Sequence, residues 1–176
     1  MGERPAIAAW LRERGAGEDL AAYAEPFGDD LEAFWHRCPR ADWLLALAAR
    51  AGYPVAELAR AARAVVTLGL DLLPEDDDAR LGLSDGIEED ERNRRAEQLE
   101  ARADRTPDGA TSTLYLAIAC ALRAGTVPEA ASLAAALTTH ALVLDAGDCA
   151  MLSVVSWSQR EGADRVRAVL GAPSLR

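Results

Sequence analysis

A chain of 176 residues is the size of one domain and long enough to bury a core without disulfides or a structural metal. Half of it is hydrophobic but only 5% is aromatic, Ala predominates, and β-branched residues rarely cluster, with Val65-Val66-Thr67 and Val154-Val155 among the exceptions, so composition favours helix and argues against a sheet. A net charge of −10 and a pI near 4.7 oppose binding to nucleic-acid phosphates or anionic membrane surfaces and would draw in a basic protein instead.

The first helix is expected over residues 5–14, where Ile7, Trp10 and Leu11 make an i, i+3, i+4 stripe that ends at Gly15 and Gly17. A short piece at 20–23 follows before Pro26-Phe27-Gly28 breaks the chain. Asp29 and Glu32 read as a capping box that opens a helix carrying Leu31, Phe34 and Trp35 and closing near Pro39. Residues 42–51 are apolar on most sides, the mark of a central helix. Gly52 takes the C′ position, and Pro54 suits the first turn of a successor over 55–72 with Leu58, Ala61, Ala62, Val65, Leu68 and Leu72 on one face.

Leu73-Pro74 then opens an acidic stretch. Ser84 or Asp85 is expected to cap a Glu/Arg-rich surface helix reaching about residue 105, with i, i+4 pairs from Glu88, Asp90 and Glu91 to Arg92, Arg94 and Arg95. Thr106-Pro107-Asp108 starts an apolar helix that Gly125 ends. Thr126-Val127-Pro128-Glu129 reads as a second capping box, before a helix using Leu133, Leu137, Ala141 and Leu144 inwardly. After a break at 145–148 a final helix runs over 149–170, with Gly162 as a kink. The expected fold is therefore an all-α, single-domain bundle of about seven to eight helices with an acidic loop near 74–86 inside it.

Residues 1–5 lack the features of a secretory signal, and no apolar run reaches the length of a membrane span. Cys38, Cys120 and Cys149 are an odd number in Ala-rich surroundings, which suits reduced thiols in a cytoplasmic protein. All 19 basic residues are Arg, read as coding bias rather than mechanism.

The densest chemical candidate is the stretch holding Trp35, His36, Cys38, Arg40, Asp42 and Trp43. A metal would need His36 and Cys38, but two-residue spacing puts them on different helix faces and no further ligand pair supports them. A nucleophile would need Cys38 beside His36 or His140, with Arg37 and Arg40 lowering the thiol pKa. A structural role fits better: Trp35 and Trp43 as core anchors, Cys38 in a tight contact, Pro39 turning the chain, Asp42 capping or pairing with Arg. His140 reads as an interior or boundary histidine. Ser153, Ser156 and Ser158 lack a nucleophile-elbow context, and Gly15-Ala16-Gly17 follows a helix rather than a strand. No catalytic, cofactor-binding or metal-binding residue is therefore assigned.

The acidic segment admits two readings. One is a solvated loop. The other is a docking surface for a basic protein, built from Glu75, Asp76, Asp77, Asp78, Asp85, Glu88 and Glu89, with charge too concentrated to stabilise the fold itself.

Residues 31–52, LEAFWHRCPRADWLLALAARAG, resemble a motif of an all-helical family of immunity proteins from bacterial polymorphic toxin systems. A Trp-bearing helix leads into Cys-x-Arg-x-Asp-Trp, here Cys38, Arg40, Asp42 and Trp43, and then into a Leu-rich helix ending at Gly. Trp10, the Leu-Pro end at Leu73-Pro74 and the closing run 159–167 are similar as well. The resemblance implies an all-α fold and a function by binding and neutralising a toxin domain, without catalytic residues. A helical scaffold or adaptor subunit of a defence or biosynthetic assembly is the alternative.

Overall fold

The computed structural model describes residues 6–84, 86–148 and 150–175, and among these the chain is helical with no strand. Nine α-helices run in order: α1 Ile7–Glu13, α2 Glu18–Ala24, α3 Leu31–Arg37, α4 Ala41–Arg50, α5 Val55–Val66, α6 Glu89–Ala103, α7 Gly109–Arg123, α8 Ala130–Ala146 and α9 Met151–Val169. Short 3₁₀ turns cover Glu25–Phe27, Thr67–Leu72 and Asp78–Leu83. The helices are thus slightly more numerous than expected, because the short piece at 20–23 is a helix in its own right, α2; elsewhere a helix stops early where a side-chain donor takes one of its carbonyls.

Residues 55–72 illustrate this. Thr67 donates its hydroxyl to the Ala64 carbonyl at 2.7 Å, and Arg165 Nη1 donates to the same oxygen at 3.0 Å. The α-ladder stops there and the chain tightens into the 3₁₀ turn. That turn brings Gly69 against α7, where a Cβ would lie 2.8 Å from Leu114 Cδ1.

Arginine repeats this role across the molecule. Arg50 donates to the Arg14 and Gly15 carbonyls at the end of α1, and Arg167 donates to Trp35 O at 2.9 Å and to Cys38 O at the end of α3. Each guanidinium meets carbonyls that a helix end leaves without an amide, at the negative pole of the helix dipole. The all-Arg basic complement therefore has a structural use: its planar fork reaches two carbonyls at once.

The caps show where local sequence decides. Asp108 opens α7 as expected, its carboxylate accepting from the Thr111 amide at 2.8 Å. Gly52 has φ of +80°, as its C′ position requires. Asp30 rather than Asp29 caps α3, accepting from the Ala33 amide at 2.9 Å. The expected box before α8 does not form, because Thr126 turns its hydroxyl back to the Arg123 carbonyl and the helix begins at Ala130.

One buried apolar cluster draws on all nine helices. At its centre α8 packs against α4, α5, α7, α9 and the Thr67–Leu72 turn. It buries Ala131, Ala134, Ala135, Thr138 and Ala141, small side chains that allow close approach, whereas Leu133 and Leu144 point outward at 51% and 46% exposure. Their expected inward orientation is thereby corrected. The helix is apolar on every side, so periodicity gave no direction. The helix α9 continues through Gly162. That glycine is the point where α9 meets α4 and α5, and a Cβ there would lie 3.1 Å from that of Ala41. As expected, α6 lies at the surface, packed on α7 and the Asp78–Leu83 turn through Ala96, Leu99 and Ala103.

Candidate protein-docking surface

As far as Ser84, the acidic segment folds as a ledge on the helices. Arg80 ties it to the chain that leads in: Nη2 donates to the Leu70 and Leu73 carbonyls at 2.6 and 2.8 Å, and Nε to the Pro74 carbonyl at 2.9 Å. The Asp78–Leu83 turn then lies on α7, with Ala79 and Gly82 buried and Gly82 facing Leu122 and Ile118.

Asp77 is the keystone of this ledge, and the expectation that it belongs to an exposed docking set is corrected. Its side chain is 2% exposed. Oδ1 accepts from the Ala79 amide at 2.9 Å and from Arg102 Nη1 at 3.1 Å; Oδ2 accepts from Arg102 Nη2 at 2.8 Å and from the Tyr115 hydroxyl at 2.7 Å. Burial alone would raise the Asp77 pKa, but the Ala79 amide, Tyr115 and Arg102 together hold it below the usual carboxylate range. The Tyr115 hydroxyl is pushed up to about 12, by burial and by its bond to Asp77. Arg102 also lies over the Tyr115 ring, 4.5 Å from its centroid. One acid of the run therefore does stabilise the fold, contrary to the sequence expectation.

The other carboxylates project from the frame that Asp77 fixes. Glu75, Asp76, Glu88 and Glu89 are exposed, and Asp78, 82% exposed, accepts from Arg102 Nη1 at 2.8 Å. Asp85 lies outside the described residues. In the first turn of α6, Glu89, Asp90 and Glu91 suit the positive end of the helix. Among the expected i, i+4 pairs, Glu91 holds Arg95 at 2.6 Å and also bonds Arg94. A shallow groove separates the turn from α6, floored by Ala79 and Leu99 and rimmed by Asp78, Arg95 and Leu81, the last 61% exposed.

The Trp-bracketed element lies elsewhere and is built for packing. Trp35 is buried at the core. Trp43 is only half-buried: it packs on Tyr23 at 5.1 Å between ring centroids, beneath the Arg40 guanidinium at 4.1 Å. Arg40 in turn forms a two-pronged pair with Asp42 at 3.1 and 2.6 Å. Cys38 is fully buried, its thiol bonded to the Arg40 carbonyl, and burial pushes its pKa up to about 11 despite nearby Arg167 and Arg40. A thiol so held is protonated at neutral pH and a poor nucleophile. His36 and His140 are both exposed, so His140 is not an interior residue. Cys149 lies outside the described residues; Cys38 and Cys120 are free thiols. Among the described residues no three His, Cys, Asp or Glu side chains converge on one point, and no helix is long and apolar enough to cross a membrane.

No family model, curated protein or solved structure matches the chain. The reading of its function therefore rests on its own residues.

Proposed function

We propose that this chain is a non-catalytic protein-binding protein whose acidic ledge docks a basic partner. The observation that carries the reading is the anchoring of the ledge: exposed Glu75, Asp76 and Asp78 surround a buried Asp77 that holds four hydrogen bonds to the Ala79 amide, Arg102 and Tyr115. A merely solvated charge run has no need of such a frame. Carboxylates held in fixed positions lose less entropy on binding and steer an oppositely charged partner into register. Phosphate-bearing ligands would meet repulsion there.

The motif around Cys38, Arg40, Asp42 and Trp43 supports a more specific version, an immunity protein that occludes a toxin domain in the bacterial cytoplasm. The two free thiols agree with a reducing compartment. We also read residues 1–176 as one domain, supported by the single core cluster that all nine helices enter.

The test is affinity capture from the native host with the wild-type chain and with a neutralised variant, Glu75→Gln, Asp76→Asn, Asp78→Asn, Glu88→Gln and Glu89→Gln, which leaves Asp77 intact. Wild type should capture a basic domain that the variant does not, and adding the wild-type chain should suppress that domain's toxicity. Equal capture by both would remove the ledge from the interface.

A further inference from the structure

The groove between α6 and the Asp78–Leu83 turn differs in character from the carboxylates around it. Its floor is apolar, made of Ala79, Gly82 and Leu99, with exposed Leu81 as a lip. Its walls are guanidinium groups: Arg95 and Arg102 stand one helical turn to either side of Leu99. The charges inside it are already balanced, Glu91 by Arg95 at 2.6 Å and Asp78 by Arg102 at 2.8 Å. The unbalanced charges stand at its two ends. Glu88 and Glu89 lie at the start of α6, just before Glu91, and Glu75 and Asp76 come just before the two aspartates that Arg102 holds. All four are exposed, and none forms an ion pair among the described residues.

This layout indicates the occupant. An apolar floor between guanidinium planes suits an aromatic ring, whose face attracts a guanidinium and whose bulk fills an apolar recess. Arg102 already lies in this manner over Tyr115, 4.5 Å from the ring centroid. The groove holds about 190 Å³, room for one such ring and not for a helix, since a cavity of about 150 Å³ accepts benzene. Along α6 the span from Glu91 to Arg102 is roughly 16 Å. Five residues of extended chain cover about the same distance, and alternate side chains of such a segment point to one side. We propose that the groove takes an extended segment of the basic partner, with an aromatic residue at its centre and an Arg or Lys two positions away on either side. The ring enters between Arg95 and Arg102, and the basic side chains meet Glu88 and Glu89 at one end and Glu75 and Asp76 at the other. A run of basic residues alone would leave the apolar floor uncovered and set a cation against the two arginines. The proposal rests on the reading that the ledge docks a basic partner, and it adds the side chain that anchors that partner.

Two peptides of equal charge test this on the full chain: acetyl-Arg-Ser-Trp-Ser-Arg-amide, and the same peptide with Ala in place of Trp. Each is titrated into the isotope-labelled protein and followed by NMR. The Trp peptide should bind about tenfold tighter than the Ala peptide and shift the amides of Ala79, Gly82 and Leu99. Arg95→Gln should cut that preference to about twofold or less, even though losing a positive charge helps any basic ligand. Ala79→Leu, which fills the floor, should do the same; Arg95 sits at the surface and keeps the test decisive if Ala79→Leu unfolds. Neutralising Glu75, Asp76, Glu88 and Glu89 should weaken both peptides alike and leave the preference in place. Equal binding of the two peptides, or a Trp preference that survives Arg95→Gln, would overturn the groove proposal and leave the docking reading standing. If neither peptide binds, both are overturned.

Discussion

Tyr115 on α7 donates its hydroxyl to Asp77 at 2.7 Å, across 38 positions of sequence, and this bond joins the acidic ledge to the core. Tyr115→Phe should therefore cost about 1 kcal/mol, the usual net value of a hydrogen bond, whereas Asp77→Ala should cost about 2–3 kcal/mol by leaving a buried hydroxyl without its acceptor and Arg102 without its main partner. Urea denaturation of the two single variants and the double variant checks this. The double should cost less than the sum of the singles, because both remove the same bond.

Acid sensitivity follows from the same site. The Asp77 carboxyl has a lower pKa folded than unfolded, so on acidification the unfolded chain takes up the proton first. Its stabilisation is complete above the unfolded value of about 3.9 and is lost as pH falls through the lower, folded value. Asp77→Asn should be less stable than wild type at neutral pH and show a shallower loss of stability below about pH 4. Parallel acid-loss curves for the two proteins would refute the assignment.

The paired Trp residues divide the stability of the N-terminal helices unequally. Trp35→Ala should cost about 3–5 kcal/mol as a core aromatic, and half-buried Trp43→Ala about 2 kcal/mol from partial burial and the lost Arg40 contact. Arg167→Gln, which strips the α3 end of its cap, should cost about 1–2 kcal/mol. Thermal melts followed by circular dichroism give all three.

Thiol chemistry provides an independent check on the non-catalytic reading. With its pKa pushed up to about 11, Cys38 should resist an aromatic disulfide reagent at pH 8 in the native protein and react at once in urea. Rapid labelling of Cys38 in the folded chain would reopen a nucleophilic role.

How far the sequence could carry this differs from residue to residue, for physical reasons. The caps at Asp108 and Gly52 depend on neighbouring backbone alone and were legible. The surface position of α6 was legible from its thin apolar stripe. Asp77 was not, because within a run of acids nothing local marks the one whose partners, Arg102 and Tyr115, lie 25 and 38 residues away. The facing of α8 was not, because a helix apolar all round gives periodicity no purchase, and small Ala faces rather than Leu faces make its close contacts. The arginine caps were hidden for the same reason as Asp77: Arg165 and Arg167 reach carbonyls about a hundred residues or more away, and composition alone carries no trace of a tertiary partner.

The central claim, a rigid acidic ledge that docks a basic partner, is tested most directly by the association rate of the captured partner as a function of salt. Wild type should associate fast at low ionic strength and slow steeply as salt passes about 0.15 M, where screening shortens to roughly 8 Å. The variant neutralised at Glu75, Asp76, Asp78, Glu88 and Glu89 should be about tenfold slower at low salt, with a shallower slope and unchanged stability, and the two rates should converge at high salt. Identical rates and identical salt slopes for the two proteins would contradict the account.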